Sequence, residues 1–128
     1  MEKKANNIVR IPTKLDINFF RYWLTFLTPF HKLTKREMDV ATSFLWERFK
    51  LSKGIIDKDI LDDVVMGDAI KHKIKKDNNL STAHFQIILS KLKQNKFIID
   101  NKINPRFIPK NLKEKDKAFS MLLYFDLD

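Results

Sequence analysis

Apolar residues between positions 78 and 109 change from helical to extended spacing. Ser81 is a helix-capping residue, because its hydroxyl can accept a hydrogen bond from an amide of the first turn. The apolar positions after it recur at helical spacing: Phe85, Ile88, Leu89 and Leu92. A β-type run at 97–99 and turn residues at 100–102 follow, before a second extended piece. The order predicts a helix and then a small hairpin, which is the order of a recognition helix and its wing.

The first predicted helix covers residues 14–27 and is apolar around most of its circumference. A helix of this kind is buried on more than one side. Thr13 and Asp16 have the spacing of a capping box, with Asp in place of the preferred Glu. We expect Pro29 to end this helix, because a proline lacks the amide hydrogen that a helix interior needs.

Three more helices are predicted before the recognition helix. The clearest is at 33–50, where Thr34 and Glu37 form a capping box. Apolar residues at helical spacing indicate shorter helices at 57–66 and 68–76, separated by a glycine. The pattern therefore predicts an α+β fold, a mainly helical winged-helix-like domain.

The two ends of the chain are predicted to be extended. Residues 1–12 form an N-terminal arm whose polar sequence is interrupted by a short apolar segment: Ile8, Val9 and Ile11. Large apolar residues occupy every second position from Phe119 to Leu127, which is typical of a half-buried strand over 118–127. We expect this strand to complete a small C-terminal β-sheet with the wing. The domain organisation is then the arm, 1–12, and one winged-helix-like domain, 13–128.

The chain is strongly basic, with a net charge of +9 and a pI near 9.8. This balance favours polyanions such as DNA, RNA or acidic protein surfaces, although lysines spread over solvated faces would serve solubility equally well. The absence of cysteine excludes disulfides and thiolate metal sites. No apolar run approaches the roughly 20 residues of a membrane span, and the first residues have no signal-peptide core. We expect a soluble protein used inside a cell or a particle, without membrane contact.

No group of residues predicts catalysis. The three histidines lack metal-ligand spacing, and the two glycines are isolated, so neither a metal site nor a phosphate loop is expected. Four acids are clustered near one helix start, where the helix dipole favours negative charge: Asp57, Asp59, Asp62 and Asp63. We expect a non-enzymatic protein with no cofactor, metal or small-molecule substrate.

The residues that would contact DNA are polar side chains of the recognition helix and cations around the wing. On the helix they are Ser81, Thr82, His84, Gln86, Lys91 and Lys93, and around the wing Lys96, Lys102 and Arg106. Short polar side chains at a helix start can reach base edges, and lysines meet the phosphates. The alternative is that they form the solvent face of a core helix, or bind protein. The helix has no arginine, the commonest reader of guanine, which favours nonspecific DNA or protein contact.

Aromatic residues that could stack on bases are expected to serve the core instead, because they lie among other apolar residues. They are Tyr22, Trp23, Trp46 and Tyr124.

The chain resembles small winged-helix-like proteins of crAss-like tailed phages, which infect gut Bacteroides. The matching segments are FFRYWLTFLTPFHKLTKREMDVA, FKLSK at 49–53, the helix from Ser81 and INPRFIP from Ile103. The resemblance covers most of the chain and implies a phage-encoded protein, found in the virion and in the host bacterial cytoplasm during assembly.

Two functions remain open. The first is a non-enzymatic structural component of the virion, a ring or adaptor of the head–tail connector. Neighbouring subunits of a homo-oligomer or larger assembly would hold its arm through Ile8, Val9 and Ile11, and nonspecific DNA would be a further partner. The second is a winged-helix DNA-binding regulator of transcription or replication. The arm, the arginine-free helix and the resemblance favour the first.

Overall fold

A computed structural model describes residues 15–110 in full and the backbone of residues 7–12 and 118–123. The α-helices in these ranges are α1 (Ile17–Phe26), α2 (Thr28–His31), α3 (Lys35–Ser52), α4 (Lys58–Val65), α5 (Asp68–Asp77) and α6 (Thr82–Gln94). The strands are β1 (Asn7–Pro12), β2 (Ile98–Ile99), β3 (Lys102–Ile103) and β4 (Ala118–Leu123), with a 3₁₀ turn at Pro105–Phe107. The predicted α+β class with a mainly helical chain is confirmed.

Side chains cap three helices near the starts that the sequence predicts. The Thr34 hydroxyl accepts from the Glu37 amide at 3.4 Å, and the Glu37 carboxylate accepts from the Thr34 amide at 3.2 Å, completing the capping box of α3. The Ser81 hydroxyl accepts from the His84 amide at 3.1 Å and caps α6. The Asp57 carboxylate caps α4 in the same way. Each cap pairs amides that have no partner within the helix.

The prediction for the first helix is wrong at its start and in the role given to Pro29, whereas its predicted end, Leu27, is the C-cap of α1. The cap of α1 is Asp16, whose carboxylate accepts from the Asn18 amide at 2.9 Å, so the helix begins at Ile17. Thr13 and residue 14 lie outside the described part of the chain. Pro29 does not end α1 but lies in the first turn of α2, where a missing amide hydrogen costs nothing.

Helix α3 is the centre of the domain, because it contacts α1, α4, α5 and α6. Its buried apolar residues, among them Val40, Phe44 and Leu45, pack against buried residues of the other helices. Fully buried side chains from these elements include Phe20 and Leu24 of α1, Val40 and Phe44 of α3, Ile74 of α5 and Leu92 of α6. This core fixes α6 on one side of α3.

The predicted hairpin is confirmed and is very short. Ile98 pairs with Ile103 and Ile99 with Lys102, so Lys102 belongs to a strand and not to the turn. Asp100 and Asn101 both have positive φ, at 54° and 55°. A two-residue turn with this geometry matches the right-handed twist of the strands, and Asp and Asn tolerate it well.

The expected place of the C-terminal strand is wrong. Strand β4 pairs antiparallel with β1, from Asn7 opposite Leu123 to Pro12 opposite Ala118, and not with the hairpin. The hairpin offers only two residues per strand before Pro105, whereas the arm offers six. Residues 7–12 of the arm are therefore extended as predicted, and their backbone partner comes from the same chain. Residues 1–6 of the predicted arm lie outside the described part of the chain. The contact of Ile8, Val9 and Ile11 with a neighbouring subunit stays a prediction.

Candidate nucleic-acid interface

Helices α5 and α6 are joined by the four residues 78–81, and the turn is tightly held. Asn79 has a positive φ of 53°, and the amide of buried Leu80 donates to the Lys75 carbonyl at 3.0 Å. The Asn78 side chain donates to the Ser43 hydroxyl of α3 at 3.1 Å. These bonds set the position of α6 relative to α5 and α3.

A buried carboxylate fastens α5 to α3. Glu47 of α3 is only 5% exposed and accepts from Lys50 at 3.0 Å and from Lys73 of α5 at 2.6 Å. Lys73 also donates to Asp77 at 2.9 Å. Hydrogen bonds to Glu47 and Asp77 raise the pKa of Lys73 well above its ordinary value. Lys73 is therefore committed to the fold, whereas the other lysines of α5 form no ion pair with a described residue.

The apolar stripe of α6 is buried as predicted, and the polar residues named from the sequence are all exposed. They do not form one surface, because successive residues are about 100° apart around a helix. Thr82, Gln86 and Lys93 lie on one flank, and His84 and Lys91 lie on the other. Between the flanks, the most outward positions are Ala83, Ile87, Ser90 and Gln94.

A shallow cleft of about 240 Å³ runs between α5 and the first of these flanks. Lys75 donates to the Thr82 hydroxyl at 3.1 Å across it. The lining residues are Asp68, Lys71, His72, Lys75, Thr82, Phe85 and Gln86. Lys71 and Lys75 were not among the residues predicted from the sequence. Their four-residue spacing on α5 was the available signal, since such residues share a helix face.

A second, larger cleft of about 500 Å³ lies on the α4 side of the hairpin. Residues 105 and 108–109 form part of its lining. The rest is four cations and two carboxylates: Arg48, Lys58, Lys102, Lys110, Asp59 and Asp62. Arg48 and Asp62 pair at 3.2 Å. The three lysines make no hydrogen bond or ion pair with any described residue. Lys102 is thus the one predicted wing residue in this cleft.

The other two wing cations lie apart from both clefts. Lys96 is exposed and has a positive φ of 63° just after α6. The guanidinium of Arg106 is 4.9 Å from the centroid of the exposed Phe30 ring, a cation–π distance. Both side chains remain accessible to a phosphate.

Charge is divided unequally between two parts of the described chain. Residues 71–110 contain ten Lys and Arg and two Asp, a net charge of +8. Residues 15–70 contain eight Lys and Arg and nine Asp and Glu, a net charge of −1. The positive charge is therefore concentrated on α5, α6 and the hairpin. The net charge of the whole chain does not show this uneven distribution.

The other described residues named in the sequence analysis lie either in the core or on the surface. His31 is buried: Nε2 donates to the Leu24 carbonyl at 2.7 Å, and Nδ1 accepts from the Leu33 amide at 3.0 Å. Among the described residues no three His, Cys, Asp or Glu are grouped as metal ligands. No helix in the same ranges is both long and apolar enough to span a membrane.

The aromatic residues only partly follow the prediction of core positions. The indole of half-buried Trp23 donates to the Phe107 carbonyl at 2.7 Å and ties α1 to the segment after the hairpin. Trp46 is also half-buried and packs against the core. The prediction is wrong for Tyr22, which is exposed because it lies on the outer side of α1. Tyr124 is outside the described residues.

Comparison with known proteins gives no relative on which to base a function. No protein-family model matches the chain, and neither the curated proteins nor the solved structures include a significant match to it. The geometry and charge of this chain are therefore the basis for proposing its function.

Proposed function

We propose that this chain is a winged-helix-like module that binds duplex DNA through its phosphates, without strong preference for sequence. The observation that carries the proposal is the net charge of +8 on residues 71–110, against −1 on residues 15–70. Contacts with phosphates supply essentially all of the affinity in nonspecific DNA binding. A basic surface confined to one part of a domain is the electrostatic footprint of such binding.

The order of elements supports the proposal. Two helices joined by a short turn, with a hairpin after the second, is the arrangement of a helix-turn-helix with a wing. In that arrangement the second helix, here α6, enters the major groove. The bonds from Asn78 and Leu80 hold α6 in a fixed orientation, as insertion into a groove requires.

The outward residues of α6 favour phosphate contact over base reading. Its most exposed line, Ala83, Ile87, Ser90 and Gln94, contains no arginine and only one side chain capable of a bidentate contact with a base. The cations lie on the flanks and on neighbouring elements, where the two strands of a duplex would pass. Lys71 and Lys75 of the first cleft are the principal phosphate contacts in this proposal, with Lys102 beside the hairpin.

The experiment is fluorescence anisotropy with a labelled duplex over a range of salt concentrations. Lys71→Ala combined with Lys75→Ala removes two of the proposed phosphate-binding cations. Lys35→Ala combined with Lys53→Ala is the matched control, since it removes two exposed lysines from the part of the chain with little net charge, and neither of them lines a cleft.

The slope of log K against log salt should become shallower by about 0.9 for each phosphate that a variant no longer neutralises. We expect a change of about 1.8 for the first pair and little change for the control. Equal changes in the two variants, or no binding by the wild type, would show that the basic surface is not the DNA site.

Of the two functions left open by the sequence, the virion component fits this surface better than the regulator. A particle component beside packaged DNA needs contact that is independent of sequence, whereas a regulator needs base contacts. The connector role, the phage origin and the neighbouring subunits remain part of the proposal. Mass spectrometry of purified particles tests them directly, and absence of the protein from particles would favour the regulator.

A further inference from the structure

An apolar line on α4 and in the loop before it stays exposed in the described part of the chain. We propose that it binds α6 of a second copy, so that copies associate head to tail. The line consists of Ile56, Ile60 and Val64, which are 93%, 55% and 38% exposed, respectively. We call it the α4 stripe. The proposal does not depend on DNA binding.

The α4 stripe is separate from the face that α4 gives to the core. Leu61 and Val65 fill that face and are almost completely buried. Ile60 and Val64 are four apart on α4, so they share one side of the helix, and Ile56 lies immediately before the helix cap, Asp57. Single exposed apolar residues are ordinary, but an aligned set marks a surface that contacts another protein.

The charge beside the stripe indicates the chemistry of its partner. Asp59 and Asp63 are exposed on the flank of α4 next to the stripe, and neither forms an ion pair with a described residue, although Asp59 also lines the second cleft with Lys58 and Lys102. A partner therefore needs an apolar centre with positive charge on one side.

The outer face of α6 has that composition. Ile87 is 59% exposed at its centre, with Ala83 one turn before it. Lys91 is one turn after Ile87, and its only hydrogen bond to a described residue is a weak one of 3.5 Å to Gln94. Ile87 can pack on the α4 stripe while Lys91 meets Asp59 or Asp63, which satisfies both surfaces at once.

The association joins two different surfaces. Two associated molecules therefore still have one unoccupied α4 stripe and one unoccupied α6 face between them. Such a heterologous interface extends into a chain or closes into a ring. Because the proposed DNA surface includes α6, a duplex should compete with self-association.

Two exposed-site variants test the proposal by analytical ultracentrifugation at low salt. Ile60→Lys disables the stripe and leaves α6 intact, whereas Ile87→Glu combined with Lys91→Glu disables α6 and leaves the stripe intact. Ile17→Lys changes an exposed isoleucine of α1 and is the control. Circular dichroism melting confirms that each variant folds, and Asp59→Lys with Asp63→Lys provides a second way to disable the stripe.

The wild type and the control should form species that grow with concentration and dissociate at high salt. Each disabled variant should be monomeric, and an equimolar mixture of the two should form a dimer and nothing larger. A wild type that is monomeric at high micromolar concentration, a disabled variant that still associates, or a mixture that stays monomeric would each overturn the proposal.

Discussion

Two adjacent isoleucines on α6 test the burial on which the fold depends. Ile88 faces the core and is 3% exposed, whereas Ile87 faces outward and is 59% exposed. Replacing each by alanine removes the same atoms from the same helix. The two variants therefore differ only in what surrounds the side chain, and no correction for helix propensity is needed.

The magnitude follows from the atoms removed. Ile88→Ala takes three carbon atoms from a buried site, which removes about 2.4 kcal/mol of transfer free energy at ~0.8 kcal/mol for each carbon. The cavity left behind raises the expected cost to about 3–4 kcal/mol. Ile87→Ala leaves no cavity and should change the free energy of unfolding by less than about 0.5 kcal/mol. In a domain of this size the first change lowers Tm by roughly 10–15 °C.

The assay is urea denaturation followed by circular dichroism, with thermal melting as a second measurement. An unchanged m-value would show that the shift in midpoint reflects stability alone. Equal destabilisation by the two variants would refute the orientation of α6 and with it the division between core and outer face. Phe85→Ala and Leu89→Ala, at two more buried positions, should each cost about 2–5 kcal/mol.

Three further predictions concern local features of the fold. Thr34→Ala removes the cap of α3 and should cost about 1 kcal/mol in urea denaturation; an unchanged midpoint would contradict the capping box. Asn101→Val places a β-branched residue at positive φ and should cost about 1–2 kcal/mol, whereas Asn101→Gly should cost little. Glu47 and Asp77 raise the pKa of Lys73, so its stabilisation is complete below its ordinary pKa of 10.5 and disappears at higher pH. The stability difference between wild type and Lys73→Met should therefore shrink above pH 10.5, and a constant difference would contradict the ion pairs.

The sequence predicts those features of the fold that depend on neighbouring residues. Ser81 and the capping box at Thr34 place the starts of α6 and α3, because a cap and the first turn it serves are adjacent in the chain. The hairpin is predictable for the same reason, since Asp100 and Asn101 suit the turn that joins its strands.

Features that depend on distant residues are not predictable in this way. Alternation over residues 118–127 indicates a strand, but it does not say which edge the strand will join, and β4 joins β1 and not the wing. Pro29 can end a helix or begin one; here it lies in the first turn of α2, whose buried His31 packs against the distant Phe107.

The candidate site is also only partly readable from the sequence. Periodicity separates the buried face of α6 from its exposed residues, and this places the polar residues named from the sequence on the surface. It does not show that Lys71 and Lys75 face Thr82 and Gln86 across a cleft, because that depends on the turn between α5 and α6. Nor does it show that Lys73 is held by Glu47 from another helix.

The most direct test of the proposed DNA binding is the affinity of the wild-type protein for two duplexes of unrelated sequence over a range of salt concentrations. Binding through phosphates should give nearly equal affinities at every salt concentration, with log K falling linearly as log salt rises. A preference for one duplex of about 10³-fold or more would contradict binding without sequence preference and would make the protein a sequence-specific regulator.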